Sequence, residues 1–246
     1  MIQEQLTQQN TDMLQKLLDA GAHVGHSKAK GHPKMKPYIL TTRQNIQIIN
    51  VGKTAEKMEE AAAFLESVIA ANGVILFVGT KVPAKLLVRD IGVELEMPHV
   101  TERWLGGTLT NFSVIQKRLE HFADQLAQKA QGNFEKYSKK EQAVLNQELD
   151  RLEQKMGGLR GTLKRIPDAL FVVDIAEHIS AVREARAKNV PIVAISDTNT
   201  DPSLVDYPIP ANDRSMMSLK VVLDYCAQAM RRAQEKAKVA GTTETH

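Results

Sequence analysis

The chain has 246 residues and is 43% hydrophobic, enough for a core of its own and near the upper end for one domain. Charged residues make up 25%, an ordinary share that excludes global disorder, and a formal net charge of +3 is too small to argue for any class of partner. The single cysteine, Cys226, excludes an internal disulfide and points to a reducing compartment.

The N-terminus lacks the basic-then-apolar order of a signal peptide, and no apolar run approaches the roughly 18 residues of a membrane span. A soluble cytoplasmic protein is therefore expected. Thr11 or Asp12 is placed to cap a first helix, with Met13, Leu14, Leu17 and Leu18 on one face and Gly21 to end it. Residues 22–37 follow, rich in Gly and Pro and without helical or strand period. Between Asp19 and Glu56 there is no acidic residue, yet Lys28, Lys30, Lys34, Lys36, Arg43 and Lys53 fall there, with His23, His26 and His32. A local surplus of one sign is the footprint of an anionic partner.

Residues 38–41 and 46–49 read as short strands separated by the turn-like Arg43-Gln44-Asn45. The pattern then alternates. Residues 54–71 read as a helix, and Val74-Ile75-Leu76-Phe77-Val78 as a strand covered on both faces and stopped by Gly79. Pro83 suits the first turn of the next helix. After an interruption come a strand at 169–173, a helix at 178–188, a strand at 191–195, a short one touching Ile209 and a last helix at 215–232. Repeated strand–helix–strand units predict a parallel sheet with helices on both faces. The small, polar residues 239–246 read as a disordered tail.

The interruption has no strand signal. Ile115, Leu119, Phe122 and Leu126 are spaced 4, 3, 4, and Leu145, Leu149, Leu152 and Met156 repeat that spacing. Residues 132–138 between them form a turn ending in a capping serine. Two matching seams predict an inserted antiparallel coiled-coil helical hairpin over 108–157, dividing an α/β domain of residues 1–107 and 158–238. Simple helices of the main domain are the alternative, disfavoured by outer faces that are polar nearly all round.

Several patterns suggest chemistry. Val51-Gly52-Lys53-Thr54 follows a strand and opens a helix, as a phosphate loop does, but the first glycine of that loop would stand at Gln47, inside the strand. His23, His26 and His32 have no fourth ligand nearby among the lysines, so solvated or phosphate-contacting histidines are favoured over a metal site. Asp174 and Asp197 each end a parallel strand, where α/β enzymes bind ligands, and Asp201, Asp206 and Asp213 follow. No base, nucleophile or phosphate loop joins them, and turn chemistry accounts for Asp-Thr-Asn-Thr-Asp-Pro. Two more basic clusters, Arg103 beside Trp104 and Arg160, Lys164 and Arg165, flank the hairpin base on glycine-rich loops. Charge on such loops with 4% aromatics suits recognition of an RNA backbone by shape. The candidate RNA contacts are therefore Lys28, Lys30, Lys34, Lys36, Arg43, Arg103, Arg160, Lys164 and Arg165. No catalytic, cofactor-binding or metal residue and no small-molecule substrate is expected.

Placed side by side, residues 18–26, 33–38, 75–81, 103–111, 167–174, 197–202 and 209–213 resemble the bacterial small-subunit ribosomal protein two family, in family order and across nearly the whole chain. The resemblance implies a flavodoxin-like α/β domain with an inserted coiled-coil hairpin. It also implies a structural, non-enzymatic component of the small ribosomal subunit, seated between head and body and binding 16S ribosomal RNA. Partners implied are other small-subunit proteins, notably ribosomal protein one, which it helps dock for translation. Two places depart from the family pattern: Thr101-Glu102 stand where relatives often carry Asn-His, and Arg214 stands where an acid is usual.

Overall fold

The structure is a computed structural model that describes the backbone of residues 2–134 and 136–243. Helix α1 (Ile2–Asp19) begins upstream of Thr11 and Asp12, which lie inside it instead of capping it. It ends where expected, at Gly21, whose φ is +71°. The Ala22 N–H donates to the Leu17 carbonyl and the Gly21 N–H to the Leu18 carbonyl, each at 3.0 Å. These are the paired bonds of a Schellman stop, completed by contact between the buried Leu17 and Ala22.

The basic stretch, irregular by its sequence, contains a strand, β1 (Val24–Ser27), and two 3-10 turns at Lys28–Lys30 and Pro33–Tyr38. β2 (Ile39–Arg43) and β3 (Ile46–Ile49) make the expected hairpin. Gln44 and Asn45 turn it with φ of +46° and +64°, the left-handed pair that matches strand twist. β1 adds to the far side of β3, giving a three-stranded antiparallel sheet.

The alternating region follows as α2 (Val51–Ala70), β4 (Ile75–Val78), α3 (Val82–Glu94) and β5 (His99–Val100). α4 (Phe112–Ala130) and α5 (Lys139–Met156) fill the interruption. β6 (Ala169–Val173), α6 (Ile179–Ala187), β7 (Ile192–Ser196), β8 (Tyr207–Pro210) and α7 (Met216–Thr243) complete the chain. Five strands form one parallel sheet in the order β5-β4-β6-β7-β8. By appearance along the chain this is 2-1-3-4-5, the order of flavodoxin-like doubly wound sheets. β5, two residues at the sheet edge, has no counterpart in the sequence expectation. α7 continues past Arg232, its expected end, and of the expected tail residues 244–246 lie outside the described residues.

Successive strand residues serve opposite faces. Ile75, Phe77, Phe171, Val173, Val193, Ile195 and Ile209 join a core with α1, α2, α3 and α7. Leu76, Val78, Leu170, Val172, Ile192 and Ala194 join a second core with α6. The expected seams of α4 and α5 do turn inward: Ile115, Leu119, Phe122, Leu149 and Met156 are buried, while Leu126, Leu145 and Leu152 are half-buried. Ile115, Leu119 and Met156 belong to the second core together with Leu109 and Leu159. The base of this helix pair is thus continuous with the sheet. At the other end, Ser138 and Glu141 form a reciprocal capping box at the start of α5.

Candidate nucleic-acid interface

The acid-free segment is held as a defined shape. Met35 is fully buried and anchors the second 3-10 turn, leaving Lys34 and Lys36 on the outside. The His26 N–H donates to Thr198 Oγ1 at 2.8 Å and the His32 N–H to the Thr198 carbonyl at 2.8 Å. The segment therefore lies on the loop that leaves the C-terminal end of β7. Lys28, Lys30, Lys36 and Arg43 are exposed, and none forms an ion pair among the described residues. Lys34 differs: its Nζ donates to Asp201 Oδ2 at 2.8 Å and to Ser203 Oγ at 2.6 Å. Desolvation works against the Asp201 carboxylate, but these donors hold its pKa down to about 2. Lys34 is thus a tether of the segment.

The phosphate-loop lookalike is closed by the chain itself. Asn50 Oδ1 accepts from the Gly52 and Lys53 N–H groups at 3.0 and 3.4 Å, occupying the amides that would face a phosphate. Thr54 is fully buried and donates to the Pro210 carbonyl at 2.6 Å, while Lys53 pairs with Glu56 at 2.7 Å.

The carboxylates at the strand ends do converge. Asp174, Asp197 and Asp213 are all buried near the C-terminal edge of the sheet. Asp174, at a φ of +72°, caps the next turn through Oδ1, which accepts from the Ala176 and Glu177 N–H groups, and its Oδ2 pairs with Lys81. Asp197 Oδ2 lies 3.0 Å from His26 Nδ1 and 3.7 Å from Arg214 Nε, neither of them aligned as a hydrogen bond. Neither oxygen of Asp213 has a hydrogen-bond donor among the described residues. Burial, and then the charges of Asp174 and Asp197, push its pKa up to about 7, partly offset by Lys81 and Arg214. Burial likewise lowers the pKa of His178, whose Nε2 meets Thr80 Oγ1 at 3.1 Å. The crevice where doubly wound sheets bind ligands is lined here by the protein's own Lys81, Arg214 and His26. Among the described residues no set of three or more His, Cys, Asp or Glu is arranged to hold a metal ion, and His23, His26 and His32 do not converge.

The other basic residues separate. Arg165 donates to Asp168 Oδ1 at 2.7 Å and to the Asn72 carbonyl at 3.4 Å. Asp168 Oδ2 in turn accepts from the Val74 N–H at 2.7 Å, which puts this pair at the N-terminal end of the sheet, away from the lysine segment. Arg160 lies 5.4 Å over the Phe122 ring and 3.7 Å from Glu153. Arg103 and Lys164 are exposed and have no ion-pair partner among the described residues.

Sequence reasoning missed Glu184 on α6. Its Oε1 accepts from Trp104 Nε1 and the Gly107 N–H, each at 2.9 Å. Its Oε2 accepts from the N–H groups of Leu109 and Thr110 and from Thr110 Oγ1, at 3.0 to 3.2 Å. Burial works to raise its pKa, and these donors together hold it below the usual glutamate range. One carboxylate thus fixes the loop that leads into α4, and Trp104 packs against the second core.

The family described as Ribosomal protein S2 matches residues 17–233, which takes in every strand and all the sites above. This chain belongs to the ribosomal protein S2 family, whose members are structural proteins of the small ribosomal subunit and not enzymes.

Proposed function

We propose that the chain binds small-subunit ribosomal RNA through its N-terminal basic segment, as a structural component of the cytoplasmic ribosome. The observation that carries this reading is the set of exposed Lys28, Lys30, Lys36 and Arg43, without ion-pair partners among the described residues, in one stretch of sequence that contains no acid. Uncompensated cations held in a fixed shape repel one another until an anion arrives, and a polyphosphate backbone supplies charge at matching density. Arg103 and Lys164 are secondary candidates, while Lys34, Arg160 and Arg165 already have protein partners.

The resemblance further supports a seat between head and body of the subunit and a role in docking ribosomal protein one. It also supports α4 and α5 as a coiled-coil hairpin inserted over 108–157, with its base in the second core. The polar outer faces of both helices suit such a projecting element. Among the described residues no helix is long and apolar enough to cross a membrane.

The test is filter binding to small-subunit ribosomal RNA at several salt concentrations. Changing Lys28, Lys30 and Lys36 together to Gln should weaken binding and flatten the salt slope by about two to three units, one lost counterion-releasing contact for each. The free protein's melting temperature should hold or rise slightly. An unaltered slope would remove this segment as the RNA contact and leave Arg103 and Lys164 in its place.

A further inference from the structure

Arg214, just past the end of β8, has a defined place in the structure. Its guanidinium NH2 donates to the Gly25 carbonyl at 2.9 Å, and its Nε lies 3.7 Å from the fully buried Asp197 carboxylate. It therefore joins β1 to the loop after β7. Its backbone is fixed from the other side: the Arg214 N–H donates to Asn212 Oδ1 at 3.0 Å. Asn212 itself donates to the Ala22 and Gly21 carbonyls at 3.0 and 3.1 Å.

β1 needs this attachment. It is four residues long, pairs among the described residues with β3 alone, and its register shifts between Val24 and Ser27. Its fit on the Thr198 loop is also tight. A Cβ on Gly25 would lie 2.5 Å from Thr198 Cγ2 and 2.9 Å from the Gln47 carbonyl, closer than such atoms come. A glycine that permits close approach and an arginine that closes it with a hydrogen bond and a charge contact act on the same joint. Lys28 and Lys30 follow directly from that joint.

We propose that Arg214 is a positioning residue for RNA binding: by bridging Gly25 to Asp197 it holds the lysine segment in the arrangement that meets phosphate, without contacting RNA itself. The proposal rests on the RNA-binding reading above. Preorganisation of this kind changes how much ordering remains at the moment of binding, not how many counterions are released.

The experiment combines amide hydrogen exchange on the free full-length protein with RNA titrations at several salt concentrations. In Arg214→Ala the amides of His26 and His32, which rest on Thr198, should exchange faster, while those of β6 and β7 stay as in the parent. RNA affinity should fall about tenfold through lost preorganisation, with the salt slope unchanged. Arg214→Lys, which keeps the charge but not the forked reach, should recover part of the affinity. Gly25→Ala, which displaces the same segment and leaves every charge in place, should reproduce the pattern of Arg214→Ala. A slope reduced by about 0.7 to 0.9 in Arg214→Ala would make Arg214 a phosphate contact and overturn the proposal. Unchanged exchange at His26 and His32, or full affinity in Gly25→Ala, would overturn it equally. If the parent protein shows no salt-dependent RNA binding, the RNA-binding reading fails, and the exchange data still decide whether Arg214 holds the segment.

Discussion

Asp213 sits beside two other buried carboxylates with no donor for either of its oxygens among the described residues. Its folded-state pKa of about 7 stands above the ordinary 3.8, so the folded protein keeps a proton that the unfolded chain has released. Stability therefore falls as pH rises between those two values and stays reduced above them. Asp213→Asn should remove that fall. Its melting temperature should exceed the parent's at pH 8, by a margin that shrinks as pH falls through about 7 and vanishes only near 3.8, and thermal melts in which both proteins show the same pH profile would reject this account. Glu184 has the opposite sign. Its lowered pKa means that its stabilisation is present above the usual glutamate value and is lost as pH falls through the folded one. Glu184→Ala would strand the N–H groups of Trp104, Gly107 and Leu109, at a cost of about 2 kcal/mol in neutral solution. Urea unfolding checks it; a midpoint equal to the parent's would mean that water satisfies those donors. Neither property could be read from the sequence. Asp213 was visible as a carboxylate near a strand end, but its burial depends on three separate loops. Glu184 and its partners are 74 to 80 residues apart, with no local pattern linking them.

Among the elements, length and periodicity decided what was legible. α2, α3, α6, β4, β6 and β7 follow their apolar patterns, and the Ser138–Glu141 capping box marks the start of α5. β1 and β5 escaped because four residues and two residues carry too little pattern, and each is a strand only through its neighbour. The 4-3-4 seams located both α4 and α5, yet not where their burial gives way. Leu109, Ile115, Leu119 and Met156 pack into the sheet's second core with Leu152 against it, while Leu126 and Leu145 lie outside full burial. Replacing residues 124–148 by a short Gly/Ser linker should therefore leave cooperative unfolding nearly intact. Replacing residues 108–156 should lower stability by several kcal/mol, the cost of emptying a core of large side chains. Circular dichroism melts separate the two. Equal losses from both truncations would show that the distal turns carry as much of the stability as the base.

For the molecule as a whole, alternation of strand and helix was enough to expect a parallel sheet, while the strand order came from pairing alone. The basic clusters were likewise visible one by one, but the fold sends them apart: the lysine segment lies by Thr198 at the C-terminal end of β7, and Arg165 by Val74 at the opposite end of the sheet. The bonds that seat the lysine segment span almost the full chain. Ala20, Gly21, Ala22 and Gly25 supply carbonyls to Ser215, Asn212 and Arg214. In the order of synthesis, residues 20–25 have to wait for partners translated 189 to 195 residues later. While the chain is being made, its exposed lysines are tethered only by what precedes residue 212, in the presence of the ribosome's own RNA. The final geometry of the segment is thus set only once residues 212–215 have been made, and a chain that stops before them carries the lysines without the bonds that seat them.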